Sequence, residues 1–179
     1  MEEKLTFRNL KETDWEQVSQ IYQEGLDTGN ATFESNLPSW NEWNNGHLKK
    51  CRIIAEIKNK IVGWSALSPV SSRCVYGGVA EVSVYVSTKF SGKKIGTKLL
   101  ERLITESENN EIWTLQAGIF PENKGSLTIH ERLGFRKVGY REKIGKMNGV
   151  WRNTILLERR SNITGMEEKR TTTPCIKHS

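Results

Sequence analysis

The stretch Glu81 to Glu101, EVSVYVSTKFSGKKIGTKLLE, constrains the fold more than any other. Val82, Val84 and Val86 alternate as in a half-buried strand, whereas Ile95, Leu99, Leu100, Leu103 and Ile104 share one face at helical spacing. A short loop with two glycines, Gly92 and Gly96, separates the two periods. A strand that feeds a glycine loop and then a helix puts the helix's first backbone N–H groups, and its partial positive charge, at the mouth of the loop. Glycines let a bulky anion approach that backbone closely, so the stretch predicts a site for a phosphate-bearing ligand.

The remaining composition narrows the class. A chain of 179 residues suffices for one domain with a sizeable core and is short for two. Charged residues at 27% and hydrophobic residues at 36% argue against disorder. The chain has no apolar run long enough to span a bilayer, and Met1-Glu2-Glu3-Lys4 does not begin a secretory signal, so a cytoplasmic protein without a membrane partner is expected. Three scattered histidines (His47, His130, His178) and three cysteines without a C-x-x-C pair give no metal-ligand spacing, and no metal is expected. The net charge of +6 invites a nucleic-acid reading, but Arg159 to Ser179 carries five Lys/Arg against two Glu, half of the excess. The body has only a mild surplus, which suits a small anionic ligand, and no nucleic-acid partner is expected.

Taken in order, Lys4 to Leu10 alternates as a first strand, and Thr13 and Asp14, with Glu16 and Gln17 three residues on, offer overlapping capping boxes for an amphipathic helix through Trp15, Val18, Ile21, Tyr22 and Leu26. Ser39 caps a second helix expected to reach about Lys49. Cys51–Ile57 and Ile61–Leu67 read as a hairpin, and Ser68 to Gly78 as a long loop. The opening strand and helix follow, then a strand at Ile112–Ile119, a short helix from Asn123 to Leu133 ended by Gly134, and two strands, Phe135–Ile144 and Val150–Arg159, joined at Asn148-Gly149. Residues 1–160 form the expected domain and 161–179 a flexible polar tail.

The order β-α-α-β-β-β-α-β-α-β-β, with the glycine loop after the fourth strand and Asn123 followed by His130-Glu131-Arg132-Leu133-Gly134-Phe135, resembles the GNAT family of acetyl-CoA-dependent N-acetyltransferases from Leu5 to Glu158. That family's loop reads Q/R-x-x-G-x-G/A; here Ser91 and Lys94 stand at the first and fourth places. Ala31-Thr32-Phe33, Arg73 with Tyr76, Ala80-Glu81, Ser126, His130-Glu131 and Gly149 with Trp151 look like the phosphinothricin acetyltransferase branch, although a lysine often found near the loop arginine is replaced by Ser71. The resemblance implies an α/β fold, a mixed and mostly antiparallel central sheet flanked by helices, whose splayed central strands form an acetyl-CoA cleft. It implies acetyl transfer by direct attack to the amine of a small amino-acid-like substrate of the phosphinothricin, methionine sulfoximine or methionine sulfone class, and a homodimer. Acetyl-CoA is then the co-substrate.

On that resemblance Glu81 is the general base and His130 the group that protonates the departing thiolate. Val84, Tyr85, Val86, Gly92, Lys93, Lys94, Ile95, Gly96, Thr97, Asn123 and Ser126 would hold acetyl-CoA, with the oxyanion at a backbone N–H near Tyr85 or Val86. Phe33, Arg73, Tyr76 and Tyr85 would form the acceptor pocket. Each residue also has a plainer account: Glu81 as a surface carboxylate, His130 as a packed helix-face ring, Asn123 as a helix cap, Arg73 as a solvated charge. Five of the six tryptophans, Trp40, Trp43, Trp64, Trp113 and Trp151, are expected in core or interface packing. Other acceptors (a polyamine, an aminoglycoside, a protein N-terminus) and a non-catalytic basic binding module are the alternatives.

Overall fold

A computed structural model describes residues 4–166. Its elements are β1 (Leu5–Asn9), α1 (Trp15–Asp27), α2 (Trp40–Gly46), β2 (Ile53–Ile57), β3 (Lys60–Pro69), β4 (Val79–Val86), α3 (Ile95–Asn109), β5 (Thr114–Ile119), α4 (Lys124–Arg132), β6 (Arg136–Met147) and β7 (Val150–Arg160). The order of strands and helices matches the sequence reading. The seven strands form one sheet in the order β1-β2-β3-β4-β5-β7-β6, and among its pairs only β4–β5 is parallel.

Alternation along the strands sends side chains to two cores. On one face Ile53, Ala55, Val62, Leu67 and Ala80 pack with Ile95, Leu99, Leu100 and Leu103 of α3. On the other Ile54, Trp64 and Ala66 pack with Val18, Ile21 and Tyr22 of α1 and Trp43 of α2. The apolar stripe read from the sequence of α3 is therefore its buried face, and each of these aliphatic side chains contributes roughly 1.5–3 kcal/mol relative to exposure. Trp43 and Trp64 are core residues, whereas Trp151 is 55% exposed.

Two helix ends differ from expectation, and β6 runs on past Ile144 to Met147. α2 does stop short of Lys49, at Gly46, because the buried Arg52 guanidinium binds the carbonyl oxygens of Asn44, His47 and Leu48 and the side-chain oxygen of Asn44 at 2.5–3.0 Å, in place of a further helical turn. Ser39 caps this helix as expected, accepting the Glu42 N–H at 3.3 Å. At α1 the capping boxes do not form: the Asp14 carboxylate instead accepts the Lys11 N–H and both terminal nitrogens of Arg8, each at 2.8 Å. The β6–β7 turn at Asn148-Gly149 has φ of +50° and +80°, as a type I′ hairpin requires. Past β7, Ser161 is buried and its N–H bonds to the Trp113 carbonyl at 2.8 Å. Part of the expected tail, residues 161–166, is thus fastened to the domain; its remainder, 167–179, lies outside the described residues.

Candidate active site

β4 and β5 pair only over Val79↔Thr114, Ala80↔Leu115 and Glu81↔Gln116, after which they part. The divergence opens a cleft of about 790 Å³ lined from β4 by Glu81 to Val86, from β5 by Ala117 to Ile119, from α3 by Gly96 and Leu100, and from α4 by Ser126, Ile129 and His130. Glu81 stands at the fork, and Gln116 donates to its carboxylate at 3.2 Å.

The parting leaves backbone groups without strand partners on the β5 side of β4. Ser87 donates its N–H to the Val62 carbonyl at 2.9 Å, and the β3–β4 register is unbroken from Gly63↔Val86 to Pro69↔Ala80. Since successive residues of an antiparallel strand direct their N–H groups to opposite edges, Ser83 and Tyr85 face β3 while Val84 and Val86, beyond the last β4–β5 pair, face the cleft. Of the two oxyanion candidates, Val86 therefore has its N–H in the cleft and Tyr85 does not. Side chains alternate the other way: Tyr85 packs with Tyr22 and Trp64, and Val82, Val84 and Val86 pack on the α3 side.

The loop and start of α3 close one end. Gly92 has φ +77° and Lys94 φ +59°, so Lys94 adopts the left-handed backbone at the place where the resembled loop has glycine. The first helical hydrogen bond runs from the Lys98 N–H to the Lys94 carbonyl at 3.1 Å, which leaves the N–H groups of Ile95, Gly96 and Thr97 as first-turn donors. Gly96 and Ser91 line the cleft, Gly92, Lys93 and Lys94 are exposed beside it in the loop, and the Ile95 side chain is buried in the core. Glu24 of α1 fastens this loop by accepting the Thr88 N–H at 2.6 Å, the Thr88 hydroxyl at 3.0 Å and the Ser87 hydroxyl at 3.3 Å. Burial opposes its ionisation, but these bonds outweigh that and hold its pKa below the ordinary carboxylate value. The sequence offered no sign of Glu24, because its partners lie 63 and 64 residues away.

His130 is 5% exposed, edge-on to Phe135 at 4.9 Å, and its Nδ1 lies 2.8 Å from the Ser126 carbonyl oxygen. That oxygen can only accept, so Nδ1 carries the proton and a neutral ring presents a bare Nε2. Burial lowers the His130 pKa, which keeps the ring neutral, and the buried Nε2 has no partner among the described residues. Asn123 does cap α4, accepting the Ser126 N–H at 3.1 Å, while its amide nitrogen donates to the Asn30 carbonyl at 3.2 Å.

Of the residues expected at the acceptor, Phe33 and Tyr85 line the cleft, with Thr32, Phe120 and Thr154. Arg73 and Tyr76 do not join them: both are exposed, and the guanidinium lies over the Tyr76 ring at 5.8 Å. They lie in the loop that precedes β4, off the lining that the resemblance assigned them with Phe33 and Tyr85. Thr154 and Phe120 carried no motif and were missed. Among the described residues no group of His, Cys, Asp and Glu has the arrangement of a metal site, and no helix is long and apolar enough to cross a membrane. Among the described residues no cysteine lines the cleft; Cys51 is buried in the core, where burial pushes its thiol pKa up to about 11.

Comparison with known proteins agrees with this geometry. A family model described as acetyltransferase (GNAT) family matches residues 14–135. YwnH of Bacillus subtilis (strain 168), by name a candidate phosphinothricin acetyltransferase, is 31% identical over 154 residues, covering 81% of this chain and 92% of its own. The phosphinothricin N-acetyltransferase of Alcaligenes faecalis is 28% identical over 163 residues, covering 88% and 83% respectively. A GNAT superfamily phosphinothricin acetyltransferase from Sinorhizobium meliloti, solved in complex with acetyl-CoA, superposes with a TM-score of 0.83 at 24% identity, over 98% of this chain and 99% of that one, a likeness of fold.

Proposed function

The chain belongs to the GNAT family of acetyltransferases, and from that premise we propose that it moves an acetyl group from acetyl-CoA to the amine of a small amino-acid-like substrate by direct attack. The observation that carries this reading is the parting of β4 and β5 just beyond the Glu81–Gln116 pair, which sets a carboxylate beside freed backbone donors. The proposed acceptors are phosphinothricin, methionine sulfoximine and methionine sulfone.

Acetyl-CoA supplies the thioester carbonyl and a thiol leaving group. Its phosphates would meet the first-turn N–H groups of α3, from Ile95 to Thr97, together with Gly92, Lys93 and Lys94. Its pantetheine arm would run along the edges of Val84 and Val86, with Asn123 and Ser126 on the other wall. Glu81 takes a proton from the acceptor ammonium, directly or through water, to give the uncharged nucleophile. The Val86 N–H faces the oxygen where negative charge develops. The acceptor nitrogen loses a second proton as the new C–N bond forms and the C–S bond breaks, and the leaving sulfur gains one. The bare Nε2 of His130 is suited to take that proton and return it at sulfur, rather than to start as a proton donor. That no cysteine among the described residues lines the cleft supports a single displacement.

Phe33, Tyr85 and Phe120 would pack the acceptor's side group, and Arg73 and Tyr76 would reach it from the neighbouring loop. A cationic amine such as a polyamine is the second reading, favoured by Glu24, Glu81 and Glu122 on the lining. Thiol release from acetyl-CoA, measured against amino-acid analogues, polyamines and aminoglycosides, separates the two. Turnover with the sulfone, sulfoximine or phosphinate amino acids is expected; silence across them overturns the acceptor class and leaves the acetyl transfer to be judged on the other amines. A second copy of the chain is the proposed partner, since β6 ends the sheet and Tyr140, Ile144, Val150 and Trp151 are exposed on the terminal hairpin. A cytoplasmic location is proposed with it.

A further inference from the structure

Between α1 and α2 the chain from Thr28 to Ser39 forms neither helix nor strand, yet it supplies Asn30, Ala31, Thr32 and Phe33 to the cleft. A segment without its own hydrogen-bond ladder takes its shape from side chains that grip it. The principal grip comes from Arg152, on β7, more than a hundred residues away. Its two terminal nitrogens donate to the Gly29 carbonyl and the Asn30 side-chain oxygen, both at 2.9 Å. The second nitrogen also lies 3.4 Å from the Glu122 carboxylate, and the guanidinium covers the Phe120 ring at 4.2 Å. The Arg152 side chain is only 17% exposed. Phe120 in turn meets Phe33 edge-on at 4.8 Å, and Asn123 holds the Asn30 carbonyl from the α4 side.

We propose that Arg152 is a positioning residue: it fixes the 28–34 segment, and through Phe120 the ring of Phe33, in the shape that meets the acceptor. Resting on the acetyltransferase reading above, this makes acceptor selection depend on a residue that does not itself touch the reacting atoms. The planar guanidinium is required, because a lysine ammonium cannot bond two acceptors in one plane and stack on a ring at the same time. Asn30 is held at two points, its side-chain oxygen by Arg152 of β7 and its carbonyl by Asn123 at the start of α4.

The test combines kinetics with amide hydrogen exchange on the full chain. Arg152→Ala is expected to raise the acceptor KM about tenfold, with acetyl-CoA KM and kcat at saturating acceptor changed by no more than about twofold. Arg152→Lys should recover only a small part of the acceptor KM. Asn30→Ala, which removes one of the two Arg152 bonds to the segment from the other end and leaves β7 intact, should reproduce the split in smaller measure should Arg152→Ala fold poorly. Amides of Gly29 to Phe33 should exchange faster in both alanine variants while those of α3 keep their protection. Equal rises in both KM values, an unmoved acceptor KM, or unchanged exchange over Gly29 to Phe33 would each overturn the proposal. Hydrogen exchange keeps the clamp testable apart from the activity: a wild-type chain that releases no thiol with any amine counts against acetyl transfer, whereas wild-type turnover with an indifferent Arg152→Ala counts against the clamp alone.

Discussion

Gln116 donates a hydrogen bond to the Glu81 carboxylate at 3.2 Å, and these two residues are also the last backbone pair before β4 and β5 diverge. One rung thus ends the parallel ladder and orients the carboxylate at the mouth of the cleft. The outcomes below follow from that geometry and from the packing behind it.

Glu81→Gln is expected to lower turnover by about 10²–10⁴-fold, the range of a lost general base. Acetyl-CoA affinity, read by calorimetry, should stay nearly intact, because the proposed cofactor contacts use other groups. Unchanged kcat at saturating acceptor would remove Glu81 from the chemistry.

Acidification should destabilise the fold through two shielded rings, those of the buried His130 and the half-buried His47. Burial lowers the pKa of His130 and of His47, the latter despite a hydrogen bond to the Trp43 carbonyl. In the unfolded chain both titrate near 6.5. As pH falls below about 6.5 the unfolded state binds protons first, so this contribution to stability, full above that value, declines toward acid by up to about 1.4 kcal/mol per pH unit for each ring. Urea midpoints between pH 7.5 and 5 should show the decline, and His130→Gln should flatten it. A midpoint that rises on acidification would contradict the sign.

Lys94→Gly is expected to leave stability unchanged or to raise it by about 1 kcal/mol, because φ of +59° is costly for a residue with a Cβ. The same change removes a cation beside the proposed phosphate site. Acetyl-CoA binding should therefore weaken and lose part of its salt dependence. A loss of more than about 1 kcal/mol in stability would show that the lysine side chain itself holds the loop.

Gly25→Ala sets two effects of opposite sign against each other. Alanine favours the α1 helix by about 1 kcal/mol. A Cβ there would meet the Tyr85 ring at 2.6 and 2.7 Å, and that ring is confined by Trp64, stacked at 4.7 Å, and Tyr22, edge-on at 4.8 Å. Overpacking of this kind costs about 1–3 kcal/mol, so a net loss of stability is expected, with a weakened acceptor KM as Tyr85 shifts. A variant more stable than wild type would show that the ring moves freely.

Sedimentation at micromolar concentration should give a mass near twice 20.5 kDa. Replacing the exposed Trp151 and Val150 by glutamate should shift it toward the monomer. A monomeric wild-type chain would count against the dimer.

Much of this was legible in the chain because it depends on local periodicity. The alternation of Val82 to Val86, the stripe from Ile95 to Ile104, the Ser39 cap and the Asn148-Gly149 turn each reflect forces acting within a few residues, and each appears as read. The order of these elements also carried the family, and with it Glu81, Asn123 and His130 on the cleft wall. Tertiary structure alone decided the rest. The end of α2 depends on Arg52, a buried cation in need of carbonyl partners. The tautomer and charge of His130 depend on a carbonyl and on burial, and the choice of Val86 over Tyr85 as the cleft-facing N–H depends on which strand edge is already paired. Arg73 and Tyr76 stand off the lining, while Glu24, Phe120, Arg152 and Thr154 stand on it or against it, because long-range packing brings together residues that share no spacing in the sequence. A pattern of neighbours records the elements and their order; the partners of a buried charge, a bare nitrogen or an irregular loop exist only once distant segments have met.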